Sequence, residues 1–359
     1  AHNYTDLYEG DYINDISEEI LELIRKEGWK ITIRDILENN EHSKKLEDCR
    51  KVIVNSILKN IRNSLKKLGI LFNSWFSESM LFEEDLVDKT ITKLKENGKT
   101  IKKEGALMFN DNEPRVLIKS NGEYTYFASD LAYHDKKMRE FDKIINIWGA
   151  DHHGYVNRIY KGLKSLGHDT DKLDIHLIQF ANLYRGKEKV SMSTRKGEFV
   201  ELDTLIKEIG IDAINYFYLM RGKDQHLDFD LEVAVSSNKN NPVYYIQYAH
   251  ARIEKILLQT SDYEQYEFDY KKLTKKHEID LIDTLSNFSD VCKKSIINLK
   301  PQIMANYLYD LSQLFHGYYA SERIIKDEIN YSQVYLLAAI QKVIKCGLET
   351  MNIKAPSEM

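Results

Sequence analysis

Between residues 12 and 70 apolar side chains recur at helical spacing: Ile13, Ile16, Ile20, Leu23 and Ile24, then Val52, Ile53, Ile57, Ile61, Leu65 and Leu68. That rhythm lays one apolar stripe along one helix face, so the segment is predicted mostly helical, with Gly28 and Gly69 as stops. The charged run over 38–51 reads as a wet helix face and loop. From about residue 105 the pattern changes. Two β-rich arms, 115–119 and 123–127, flank Ser120-Asn121-Gly122, a hairpin turn signal. A helix is expected over about 129–140, a buried-type strand over 143–148, a helix over about 155–166 closed by Gly167, and a second strand over 175–183. Strand, helix and strand in that order form a βαβ unit, which predicts a parallel sheet with helices on its faces. From Asn241-Pro242 the period is helical to the end, and Pro242 suits the first turn of a helix. Residues 236–359 therefore read as a helical bundle, with the acidic, Tyr-rich stretch 262–270 as an exposed loop.

Composition narrows the class without naming a function. The 359 residues allow two or three domains, and 43% hydrophobic with 30% charged residues is ordinary for a globular protein. A net charge of −5 argues against a simple basic nucleic-acid binder but leaves room for a tRNA on a local basic face. The three cysteines, Cys49, Cys292 and Cys346, are far apart and odd in number, which fits reduced thiols in the cytoplasm and neither a disulfide nor a zinc framework. No apolar stretch is long enough to span a bilayer, so no membrane partner is expected. The chain starts Ala1-His2-Asn3-Tyr4, without an initiator Met or an apolar leader.

In parallel sheets ligands gather outside the carboxyl ends of the strands. Two chemically loaded segments fall at that edge. The first is Gly149-Ala150-Asp151-His152-His153-Gly154. Adjacent histidines in extended chain point to opposite sides, so a shared metal is not expected; backbone and imidazole contacts to a nucleotide are, because the two glycines allow close approach. The plainer alternative is a strand-end turn with one core histidine. The second segment is Val190-Ser191-Met192-Ser193-Thr194-Arg195-Lys196-Gly197, where hydroxyls and cations on a loop suit charge developing on phosphate. Taken by itself it reads more readily as a solvated surface loop, a preference that the neighbouring segments reverse. Tyr126 and Asp130 stand four apart where the hairpin passes into a helix, as a site for a substrate cation or as core packing and a cap. Tyr244, Tyr245, Gln247, Tyr248, His250 and Arg252 combine rings, amides and charge that suit unpaired bases, although helical spacing sends half of them into the core.

These segments together resemble the arginyl-tRNA synthetases, a class I aminoacyl-tRNA synthetase family. The matching stretches, in order, are Asn73-Ser74-Trp75-Phe76-Ser77-Glu78-Ser79, Glu104-Gly105-Ala106, and Tyr124-Thr125-Tyr126-Phe127-Ala128-Ser129-Asp130-Leu131-Ala132-Tyr133-His134. Trp148-Gly149-Ala150-Asp151-His152-His153-Gly154-Tyr155, Met192-Ser193-Thr194-Arg195-Lys196-Gly197 and Leu227-Asp228-Phe229-Asp230-Leu231 follow. The last are Asn241-Pro242-Val243-Tyr244-Tyr245-Ile246-Gln247-Tyr248-Ala249-His250-Ala251-Arg252 and the tail Gly347-Leu348-Glu349-Thr350-Met351-Asn352-Ile353-Lys354-Ala355-Pro356.

The resemblance implies an α/β plus all-α architecture. Residues 1–100 would be a helical insertion and catalytic segment. Residues 101–235 would be the second half of a Rossmann-like catalytic domain, and 236–359 an anticodon-binding bundle. It implies an arginine–tRNA ligase that uses ATP with Mg2+, acts on tRNA(Arg) as a monomer, and holds no resident metal. Asp130 would receive the arginine guanidinium, with Tyr126 and His152 beside it. Gly149, Asp151, His152, His153 and Val190 would face ATP. Ser191, Met192, Ser193, Thr194, Arg195 and Lys196 would replace the family's KMSKS loop, and Tyr244, Gln247, Tyr248 and Arg252 would touch tRNA.

Two departures qualify these roles. Neither KMSKS lysine is kept in register, which leaves Lys189, Arg195 and Lys196 as the nearby cations. No His-x-Gly-His segment occurs, so the expectation is an amino-terminally truncated piece that cannot form adenylate alone. A non-catalytic tRNA-binding paralogue is the alternative from a different class.

Overall fold

The computed structural model describes residues 12–30, 32, 43–190 and 200–359. The chain divides into two compact units, one of residues 1–71, 182–222 and 228–359, the other of 72–181 and 223–227. The first unit opens with helices α1 (Tyr12–Lys26) and α2 (Ser43–Lys67). They pack through Ile16, Ile20 and Ile24, part of the predicted stripe, together with Cys49, whereas Ile13, Ile57 and Ile61 of that stripe are exposed. Gly28 and Gly69 end them in left-handed conformations, with φ of 64° and 76°.

The second unit begins with α3 (Ser79–Glu83) and α4 (Leu86–Glu96), then an antiparallel meander of β1 (Thr100–Lys103), β2 (Ala106–Phe109) and β3 (Arg115–Ile118). Glu104 and Gly105 join β1 to β2 with φ of 52° and 78°, the two left-handed residues that a tight hairpin requires. The Asn121-Gly122 turn forms, but its expected second arm shrinks to one bridge between Ile118 and Tyr124. The chain is diverted because Thr125, extended at φ −92° and ψ 160°, donates its hydroxyl to the Val116 carbonyl at 2.7 Å and starts α5 (Tyr126–Glu140). The helix therefore begins three residues before the expected 129.

Strands β4 (Ile144–Gly149) and β5 (Leu173–Ile178) are parallel and joined by α6 (His153–Ser165), the predicted βαβ unit. Their register runs from Ile144 opposite Leu173 to Gly149 opposite Ile178. Leu94, Leu117, Leu131, Ile159 and Leu163 lie in one fully buried cluster. Burial of each such side chain stabilises the unit by roughly 1.5–3 kcal/mol. Gly162 brings α6 against α5, since a Cβ there would come within 2.7 Å of Leu131 Cδ1. The expectation of a buried strand needs correction on one face. Ile144 and Asn146 are buried, whereas Ile145 and Ile147 are 45% and 72% exposed.

The single strand expected over 175–183 is two strands. β5 ends at Ile178, Gln179 donates its N–H to Lys223 O, and β6 (Ala181–Arg185) joins another sheet with β7 (Glu188–Lys189) and β8 (Leu227–Asp230). In the first unit, α7 (Leu202–Ile209), α8 (Ile211–Leu219) and α9 (Leu231–Val235) precede the bundle. The bundle comprises α10 (Pro242–Gln259), α11 (Lys276–Ser286), α12 (Phe288–Ile297), α13 (Gln302–Ser321) and α14 (Tyr331–Thr350). Asn241 caps α10 by accepting the Tyr244 N–H, with Pro242 in the first turn as the sequence indicated.

Candidate functional site

The start of α5 carries Asp130 on the side that faces α6. Tyr155, in the first turn of α6, donates its hydroxyl to Asp130 Oδ2 at 2.9 Å. The Tyr155 ring also lies 6.0 Å from Trp148 and 6.2 Å from Phe127, so the phenol is held between strand and helix. Burial raises the Asp130 pKa above its ordinary value and the Glu78 carboxylate adds to this; Tyr155, Lys137 and His152 act in the opposite direction. Burial and the Asp130 charge likewise push the Tyr155 phenol far up, so it stays a donor. Glu78 is fixed by Ser129, whose hydroxyl donates to Oε1 at 2.7 Å. The half-buried Asp130 carboxylate thus feels the charge of the exposed Glu78, and the two negative charges favour an incoming cation.

Glu78 and Tyr155 lie inside the family-like segments, but nothing in the residue pattern around them singles them out as partners of Asp130. Tyr126, expected beside the guanidinium, is 83% exposed at the first position of α5. The hydroxyl bonded to Asp130 is that of Tyr155.

Gly149 closes β4, and a short 3-10 turn, Ala150–His152, leads into α6. A Cβ on Gly149 would strike the Asp151 carboxylate, so only glycine lets that side chain fold back over the strand end. Asp151, His152 and His153 are exposed. His152 Nε2 lies 3.8 Å from Asp151 Oδ2, and its ring is 6.2 Å from Trp148. No side chain caps the first turn of α6; the His153 N–H that opens it bonds the Ala150 carbonyl of the preceding 3-10 turn. Among the described residues no three His, Cys, Asp or Glu side chains converge as a metal site would require.

Val190, in the first unit, donates its N–H to Leu183 O at 2.9 Å. Ser191, Met192, Ser193, Thr194, Arg195 and Lys196 lie outside the described residues.

On α10, Tyr244 stacks on Tyr248 at 5.9 Å, both partly exposed. Arg252 donates to the Tyr248 hydroxyl at 2.6 Å and is sandwiched between the Tyr248 and Tyr319 rings at 4.4 and 4.6 Å. Tyr248 and Arg252 line a cavity of about 1050 Å³ that also admits Lys255 and Arg323. Gln247 is placed differently. It is buried, and its amide donates to Asp212 Oδ2 and to Lys354 O, both at 2.9 Å. It anchors the carboxyl-terminal tail, as does His250, which bonds Pro356 O at 2.8 Å.

Residues 11–276 match the family described as tRNA synthetases class I (R), catalytic domain, and residues 246–359 match the DALR anticodon binding domain. The chain is 44% identical over 320 residues to the arginine–tRNA ligase of Thioalkalivibrio sulfidiphilus (strain HL-EbGR7), covering 85% of this chain and 55% of that protein. It is 42% identical over 348 residues to the arginine–tRNA ligase of Coxiella burnetii (strain RSA 331 / Henzerling II), covering 93% and 58%. It therefore spans little more than half the length of these curated relatives. A crystal structure from Campylobacter jejuni, named for an arginyl-tRNA synthetase, superposes with a TM-score of 0.86 at 29% identity over 100% of this chain and 78% of that one. The Thermus thermophilus arginyl-tRNA synthetase superposes at 0.75 with 18% identity, covering 95% and 73%, and supports the fold. A class I catalytic domain is followed by a helical anticodon-binding domain, and the chain belongs to the arginyl-tRNA synthetase family.

Proposed function

We propose that the protein containing this chain is an arginine–tRNA ligase of the cytoplasm, working as a monomer. The arginine carboxylate attacks the α-phosphorus of ATP, forming arginyl-adenylate and releasing pyrophosphate. The arginyl group then passes to the terminal adenosine of tRNA(Arg), releasing AMP. Mg2+ enters with ATP, as the counterion of its phosphates. The observation that carries this reading is the half-buried Asp130 carboxylate, held by Tyr155 and crowded by Glu78. A guanidinium presents five N–H donors in a plane and can bridge two such carboxylates.

Around that pocket, the Gly149, Asp151, His152 and His153 turn suits the nucleotide, because its glycine permits close backbone approach and the side chains that follow it are exposed at the end of β4. Ser191, Met192, Ser193, Thr194, Arg195 and Lys196 are proposed to stabilise the departing pyrophosphate, following Val190. Tyr126 is left as an exposed ring able to close over bound arginine. Tyr244, Tyr248 and Arg252 offer stacking faces and charge for tRNA. Residues 1–100, 101–235 and 236–359 are the proposed functional divisions.

A non-catalytic tRNA binder has no use for a desolvated carboxylate aimed at a cation, so the ligase reading is preferred. The test is arginine-dependent release of AMP and pyrophosphate with charging of tRNA(Arg). A protein that binds the tRNA but charges nothing would leave the binder as the answer.

A further inference from the structure

Behind Asp130 lies a polar chain to which no role has yet been given. Asp130, His134 and Lys137 fall at i, i+4 and i+7, one line along α5. His134 and Lys137 meet Asn146 of strand β4, while the Asp130 side chain meets Tyr155 of α6. The Asn146 amide lies between His134 and Lys137. Its Nδ2 is 2.6 Å from His134 Nε2, and its Oδ1 accepts from Lys137 Nζ at 2.9 Å. His134 Nδ1 is 2.7 Å from the Asp130 main-chain oxygen.

The donors and acceptors allow one assignment. The Asn146 Oδ1 must accept, because the lysine ammonium only donates. Its NH2 therefore faces His134 Nε2, which must be an unprotonated acceptor. The imidazole hydrogen is then on Nδ1 and goes to the Asp130 carbonyl. Each partner fixes the next.

We infer that Asn146 and Lys137 are positioning residues for the guanidinium-binding carboxylate: through His134 they lock the turn of α5 that carries Asp130 to the strand whose end forms the nucleotide turn. This rests on the proposed reading of Asp130. Burial supports the assignment, since Asn146 is 7% and His134 4% exposed, and a polar chain so enclosed tolerates little rearrangement. Burial also pushes the His134 pKa down to about 4, which keeps the acceptor neutral at physiological pH. Lys137 contributes a second effect. Its charge is felt by Asp130 and favours the ionised carboxylate, and its ammonium also covers the Tyr133 ring at 4.6 Å. A core built for stability alone would carry apolar groups here, because buried charged and polar chains are costly.

The test measures arginine and ATP binding separately, in the protein that contains this chain. Asn146→Ala, and Lys137→Met as a second variant that keeps its stem in the core, are compared with Leu107→Ala in the meander. The last variant is destabilised without touching the chain of hydrogen bonds. The expected result is a loss of arginine affinity on the order of ten- to a hundredfold in both test variants, with ATP affinity within about twofold of wild type. Leu107→Ala should change neither. The inference is overturned if arginine and ATP affinity fall together, or if arginine binding is unchanged in the test variant that folds. A wild-type protein that binds no arginine would instead overturn the functional reading.

Discussion

The Tyr155 hydroxyl and the Asp130 carboxylate are 2.9 Å apart, a bond that ties the start of α6 to the start of α5. It orients one carboxylate oxygen and leaves the other available. A guanidinium arriving there exchanges water for a fixed, half-buried anion.

Replacing Asp130 by Asn should separate function from stability. The side chain keeps its size and can still accept from Tyr155, but the charge is gone. Arginine affinity should fall by on the order of a hundredfold, as expected for a buried charge pair that loses one partner. The fold should lose nothing and may be held to a simple criterion: an unchanged or higher Tm. The sign follows from linkage. The Asp130 pKa is raised in the fold, so its ionised form opposes folding as pH rises through that value, and removing it relieves the opposition. Calorimetric titration and thermal melts of the two proteins check both halves.

The same raised pKa sets how arginine binding responds to acid. Bound guanidinium favours the ionised carboxylate and lowers its pKa relative to the free protein. Affinity is then full above the Asp130 pKa of the free protein and declines as pH falls through it. The decline should begin at a higher pH than for an ordinary exposed aspartate. Arginine titrations from neutral pH downward, compared with ATP titrations as a control, measure this.

His134 makes a separate statement about stability. Burial lowers its pKa to about 4 in the fold, from about 6.5 for an unperturbed histidine. The unfolded chain binds the extra proton between these values. Folding stability is therefore complete above about 6.5 and is lost as pH falls towards 4, by on the order of 3 kcal/mol over the range. His134→Phe, which removes the titrating ring, should flatten that part of the curve in chemical denaturation.

Gly162 is where α6 approaches Leu131, the neighbour of Asp130 in sequence. Gly162→Ala would gain helix propensity of up to about 1 kcal/mol, but the added methyl meets a fully buried leucine. Overpacking typically costs about 1–3 kcal/mol, so the net effect is a lower Tm. Because the displaced helix carries Asp130, arginine affinity should fall with it. Denaturant midpoints and arginine titrations read the two effects.

Much of this was legible in the amino-acid pattern. The two helices over 12–26 and 43–67, the βαβ unit around Trp148 and the Asn241-Pro242 helix start all follow from local periodicity and capping, which the folded chain keeps. The misses are tertiary. The segment 175–183 is mostly apolar, and periodicity cannot reveal that a hydrogen bond from Gln179 to Lys223 divides it between two sheets. Gln247 looks like a base-reading amide in sequence; only folding shows the tail it holds. Asp130 stood out by resemblance, whereas Tyr155, a residue 25 positions away, became its partner through the crossover of α6. The Asp130, His134 and Lys137 line was visible as polar residues at helical spacing, but not the Asn146 amide that joins two of them.

Arg252 gives a test of the helical anticodon-binding domain. Its planar guanidinium stacks between Tyr248 and Tyr319, which an ammonium cannot reproduce. Arg252→Lys should weaken tRNA(Arg) binding, with arginine and ATP affinities unchanged. Filter binding of the tRNA at two salt concentrations checks it.

The most direct measurement compares arginine with citrulline, which matches it in shape but carries a neutral ureido group. Calorimetric titration of the protein containing this chain should find arginine bound on the order of a hundredfold more tightly than citrulline, with the difference abolished in Asp130→Asn. Equal affinity for the two in the wild-type protein would contradict the assignment of the Asp130 pocket to a guanidinium.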